Sequence, residues 1–111
     1  MSFWSWLASI FVVTIMAIVF DEQKRWKTLD ERGLDFAAAG EVFDGPHLTI
    51  EDDRFDYGET RFFTIGFLAG RMVAIVWTAR GEDQRIISMR KANDREQQAY
   101  GERLAGPGRR P

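Results

Sequence analysis

The spacing of apolar residues changes character along the chain. Residues 1–20 carry no charged side chain, and their last four, "AIVF" (17–20), have the β-branched and aromatic content of a short buried strand. Asp21 then stands where an N-cap would, and residues 22–32 read as a helix with Trp26 and Leu29 on one face. Gly33 stops that helix, and Leu34 is the apolar residue expected just past a glycine cap. Asp35 caps a second, shorter helix in "FAAAGEVF" (36–43), where Phe36, Ala39, Val42 and Phe43 share a stripe. "DGP" (44–46) is a turn.

From His47 onward the period shortens to that of strands. "HLTIE" (47–51) is a short strand, and "DDRFDYGET" (52–60) is an acidic loop. "RFFTIGF" (61–67) and "RMVAIVWTA" (71–79) are strands joined by "LAG", a hairpin connection containing glycine. "RGEDQ" (80–84) is a second hairpin loop, and "RIISM" (85–89) is the strand after it. Asn93 and Glu96, three apart, form a capping-box pattern that opens a final helix carrying Tyr100. The order predicts an α+β domain. A short N-terminal strand and two helices pack on an antiparallel meander sheet, a C-terminal helix follows, and the helices share one face.

Composition narrows the classes. A chain of 111 residues has room for one core, and 45% hydrophobic residues suffice to build it. The absence of cysteine excludes a disulfide framework, a thiol nucleophile and any cysteine-based zinc site. Net charge is −2 but unevenly placed: residues 21–82 hold 13 acidic side chains against 8 basic ones, and residues 83–111 hold 4 against 7. Such asymmetry suits two partners of opposite sign, or one partner with a charged and a neutral face.

The uncharged leader has three readings. About 20 apolar residues are enough to span a bilayer, yet the flanking "DEQKRWK" mixes both signs and gives no orientation. A secretory signal needs a positive start and a small-x-small cleavage site, and neither is present. Alternatively, translation begins at Met16. The expected division is therefore an apolar leader (1–16, upstream of the natural start or an extension), a domain (17–104) and a flexible basic tail (105–111).

The candidate chemistry is cationic. Arg80 and Arg85 flank one hairpin loop, so two forked, permanently charged guanidiniums stand at one end of the sheet, suited to phosphate. Arg90 lies about 17 Å further along and on the opposite face if the strand stays regular. With Lys91 it forms a second cluster near Arg71. The competing reading pairs these arginines with the acidic loop (Asp52, Asp53, Asp56, Glu59), or has them keep sheet edges soluble. His47, the single histidine, has no partner nearby in sequence, and the carboxylates of 51–59 lack the spacing of a calcium loop. Dinucleotide, P-loop and zinc-protease signatures are absent. Trp77, Phe62, Phe63 and Phe67 sit at strand spacing and read as core.

Two stretches carry a resemblance to a known family. "VFDEQKRWKTLDERGLDFAAAGEVFDGPHLTIEDD" and "ETRFFTIGFLAGRMVAIVWTARGEDQRIISMRKANDREQQAY" resemble the BrnT toxins of bacterial type II toxin–antitoxin pairs, small RelE-like ribonucleases that arrest translation by cleaving RNA. The most specific part is "RIISMRKANDREQQAY". Asp21, Lys24, "GLDF" (33–36), Phe43 with Asp44 and Pro46, Arg61, Gly70-Arg71 and Arg80 support it. The likeness implies that 17–20 is a sheet strand, which favours a start at Met16, a cytoplasmic protein and no membrane partner. Anchorage through residues 1–20 is the alternative.

The resemblance further implies RNA cleavage without metal or cofactor, by attack of a ribose 2′-OH on its neighbouring phosphate. That chemistry requires a cation to stabilise the developing phosphorane charge. On this footing Arg80, Arg85 and Arg61 are the catalytic candidates, and Arg90, Lys91, Arg71 and Lys24 hold RNA. The implied partners are an RNA substrate and a cognate DNA-binding antitoxin (BrnA-like), with operator DNA reached only through it. One departure stands out: Glu31-Arg32-Gly33 replaces the family's common Lys-His-Gly. That change supports an alternative in which catalysis is weak or lost and the fold serves as an antitoxin-binding co-repressor module.

Overall fold

A computed structural model describes residues 17–105; the leader, the Met16 start and the basic tail beyond 105 lie outside them. The elements run β1 (Ile18–Phe20), α1 (Glu22–Arg32), a 3-10 turn (Phe36–Ala38), α2 (Ala39–Asp44), β2 (His47–Asp52), β3 (Arg61–Leu68), β4 (Arg71–Arg80), β5 (Asp83–Lys91) and α3 (Asp94–Ala105). One five-stranded sheet has the order β1-β5-β4-β3-β2. Strands β2 to β5 form the expected antiparallel meander, and β1 joins its far edge in parallel, with Val19 opposite Arg85.

Local signals place the helices. Asp21 accepts a hydrogen bond from the Lys24 amide at 3.0 Å, and Gly33, at φ 70°, closes α1 by donating to the Leu29 carbonyl. Asp35 caps the 3-10 turn through the Ala37 amide and takes a two-point ion pair from Arg25, at 2.8 and 3.2 Å. Arg25 holds the Asp35 carboxyl below its ordinary range. α1 buries none of its residues, and Trp26 is exposed beneath the Arg25 guanidinium. The expected Trp26–Leu29 contact face is thus replaced by polar tethers, Arg25 to Asp35 and Arg32 to the Met89 carbonyl at 2.8 Å.

Two cores lie on opposite sides of the sheet. Phe36, Ala39 and Val42 pack with Val73, Ile75, Ile86 and Met89 on the α1–α2 side. The approach is close at Gly66, where a Cβ would stand 2.7 Å from Val42 Cγ1 and 3.2 Å from the Pro46 carbonyl oxygen. The second core joins Ile65, Met72 and Ala92 to Leu104, with Tyr100 packed against it. The C-terminal helix therefore takes the opposite face from the first two, a departure from the expected single helical layer. Leu104 and Tyr100 find the even-numbered residues of β4, and the odd-numbered ones are already covered by α2.

β5 contains a bulge. Trp77 pairs with Ile86 and Val76 with Ser88, so Ile87 has no opposite residue. Thr78 stands opposite Arg85 and Ala74 opposite Arg90, four residues apart on β4. Arg85 and Arg90 consequently share the α3 side of the sheet, correcting the expectation for a regular strand.

Candidate functional site

The α3 side is built in rows, because directly opposed residues of antiparallel strands project to one face. Arg80 opposes Asp83 at the hairpin end. The next row is Asp52, Arg61, Thr78 and Arg85, and behind it come Ile50, Phe63 and Val76. Only further in, from Ile65, Ala74 and Arg90, does α3 cover the sheet. Three arginines thus stand together at the end that α3 does not reach, where the acidic loop packs on Arg61 through the Tyr57 ring. Between them and α3 opens a cleft of about 410 Å³, lined by Ile50, Asp52, Arg54, Phe63, Val76 and Arg90 among others.

Each charge in this region has a distinct environment. Asp52 is buried; it accepts Arg54 at 2.8 and 3.0 Å and the Tyr57 hydroxyl at 3.3 Å, which pins the acidic loop to the sheet. The hydrogen bonds from Arg54 hold the Asp52 carboxyl below its usual range, and Asp52 raises Arg54 in turn. The Arg61 guanidinium lies 4.1 Å over the Tyr57 ring and reaches Glu59 at 3.3 Å. Arg80 reaches the other oxygen of the same Glu59 at 3.7 Å. Among the described residues Arg85 forms no ion pair. Arg90 is committed to Glu96 through two bonds of 2.8 Å, which lower the Glu96 carboxyl.

The other residues singled out in the sequence fall elsewhere. Lys91 opposes Val73, hence projects to the α1–α2 side, and Arg71 lines a hollow there with Leu34, Asp35 and Glu41. Lys24 lines a separate groove with Lys27, Glu31, Arg32 and Ile87. The seven cationic candidates therefore divide four and three across the sheet. His47 lies on the exposed edge strand, packs its ring edge-on against Phe43 and bonds the Gly45 carbonyl at 2.8 Å, away from the arginine rows. Phe62 stacks on Trp77 in the α1–α2 layer, and Phe63 and Phe67 pack against the α3 core, as expected; Phe63 also lines the open cleft. Glu59 was visible in sequence only as one carboxylate of the acidic loop; its spacing from Arg61, two residues on, was the available signal.

Cationic forks beside a cleft that offers Ile50, Phe63 and Val76 among its charged lining suit a phosphodiester chain with bases attached. The family model described as ribonuclease toxin, BrnT, of type II toxin–antitoxin system matches residues 20–96. The chain belongs to the BrnT family. That match runs from Phe20, the last residue of β1, through the first turn of α3 and so includes all four arginines of the open face. No individual curated protein matches the chain. Membership implies an RNA target and an antitoxin partner, and the Glu31-Arg32 departure now has a physical setting. Arg32 donates to the Met89 carbonyl on the unpaired edge of β5, where β1 has already ended.

Proposed function

We propose that this BrnT-family chain is a metal-independent endoribonuclease that inhibits translation by cutting RNA in the cytoplasm, and that it is restrained by a BrnA-like, DNA-binding antitoxin. The observation that carries the reading is the row Arg61–Thr78–Arg85, with Arg80 beside it, at the end of the sheet that α3 does not reach and next to a cleft of mixed polar and apolar lining. RNA would lie with phosphates on the arginine row and a base against Ile50 and Phe63. The arginines supply the charge stabilisation that the phosphorane needs, and Arg90, further in and paired with Glu96, steadies the backbone. Lys24, Arg71 and Lys91, on the other side, are assigned to more distant RNA or to the antitoxin. Among the described residues no helix is long and apolar enough to cross a membrane.

The experiment is cleavage of total RNA by residues 16–111 in the presence of EDTA, beside an Arg80→Ala, Arg85→Ala double variant of unchanged melting temperature. Cleavage by the parent and not by the variant supports the reading. A second reading, an inactive antitoxin-binding module, is favoured by one contact: position 32 is occupied by a side chain already bonded to Met89. Intact RNA from folded parent protein, with antitoxin still bound, would select it.

A further inference from the structure

Among the described residues, Glu59 is a carboxylate that touches two arginines of the open face. Its oxygens lie 3.3 Å from Arg61 Nε and 3.7 Å from Arg80. Neither contact is the short two-point pairing that Arg makes with a committed carboxylate. Asp52 and Glu96 show such commitment, to Arg54 and to Arg90 respectively. Glu59 keeps lone pairs free, and about 30% of its side chain is open to solvent. Asp83, opposite Arg80, is the nearest rival but stands outside the Arg61–Arg85 row.

We propose that Glu59 is the general base of the cleavage reaction, an inference that rests on the ribonuclease reading above. A phosphate seated on Arg61, Arg80 and Arg85 takes over the positive charge that Glu59 shares at rest, and leaves the carboxylate beside the adjoining ribose. Glu59 accepts the proton of the 2′-OH as the O2′–P bond forms. The P–O5′ bond breaks, and the departing 5′-oxygen takes a proton from solvent water. The products are a 2′,3′-cyclic phosphate and a 5′-hydroxyl, and the proton on Glu59 returns to solvent. No oxidant, reductant or further reactant enters the balance.

The test uses Glu59→Gln, which keeps the shape and removes the basicity, with Asp83→Asn beside it and a random-sequence oligoribonucleotide pool as the probe. Single-turnover cleavage is measured together with RNA binding and melting temperature. Glu59→Gln should bind RNA as tightly as the parent or more so, since it removes a negative charge from the anion site. It should cleave on the order of 10²–10⁴-fold more slowly, the span attributed to a positioned base. Asp83→Asn should cleave like the parent. If Glu59→Gln cleaves within threefold of the parent, or if it loses binding and cleavage in equal measure, Glu59 is not the base. Should the glutamine variant not fold, Glu59→Ser is read by the same criteria. A folded parent that cleaves no RNA overturns the ribonuclease reading together with this one, whereas an active parent with an equally active variant overturns this one alone.

Discussion

Arg90 gives both terminal nitrogens to Glu96, each at 2.8 Å, while the backbone amide of Asn93 donates to the same carboxylate at 2.9 Å and Asn93 Oδ1 caps the Glu96 amide at 2.8 Å. One glutamate therefore closes the capping box of α3 and fastens that helix to β5. Glu96→Ala should destabilise the domain by about 1–2 kcal/mol, chiefly through the lost cap, because Arg90 is partly solvated and its ion pair is screened. Urea unfolding of the variant measures it.

The same chemistry sets the acid limit. Asp35, Asp52 and Glu96 all have carboxyls lowered by a hydrogen-bonded arginine. A lowered group contributes its full stabilisation above its unfolded pKa, about 3.9 for Asp and 4.3 for Glu, and loses it as pH falls through the folded value. Stability from these three pairs should be constant above about pH 5 and decline below about pH 4. Melting temperatures between pH 7 and pH 3 check this, and Glu96→Gln should flatten part of the decline.

Among the described residues Arg85 is the arginine of the open face without an ion pair, so on the proposed ribonuclease reading its charge would be available to substrate. Arg85→Ala should slow cleavage by roughly 10²–10³-fold, in the range seen when one stabilising donor is removed. Arg90→Ala should cost less in rate and more in melting temperature. Cleavage should also fall steeply with added salt, since phosphate contacts release counterions.

Gly66 has no room for a side chain. Gly66→Ala should destabilise by about 1–3 kcal/mol, because the new methyl meets Val42 and the backbone of Pro46 in a fixed core. The opposite outcome is expected at the β3–β4 hairpin, where Ala69 is held at φ 52°. Ala69→Asn should raise stability by roughly 0.5–1 kcal/mol, since asparagine tolerates the left-handed region better. Thermal unfolding distinguishes the two signs.

Where a feature is written in adjacent residues, it was legible beforehand. Asp21 and Gly33 bound α1, Asn93 and Glu96 open α3, and the alternation after His47 yields four strands in their correct places. What could not be read depends on residues distant in sequence. The bulge at Ile87 is defined only by pairing with β4, and it alone moves Arg90 onto the face of Arg85. Asp52 reads as one more acid in a polar loop until Arg54 and Tyr57 fold over it. α3 has apolar positions suited to either side of the sheet, and its side is settled by which one α2 leaves bare.

The unpaired Ile87 turns the length of β5 into a coded quantity. Side chains along a strand alternate with period two, so five regularly paired steps would put Arg85 and Arg90 on opposite faces, and the one unpaired residue reduces them to four and returns both to the same face. Substitutions in that interval change packing by degrees, but a single inserted residue taken into regular pairing there is a parity error. It would split the cationic surface in two while leaving every arginine in the chain.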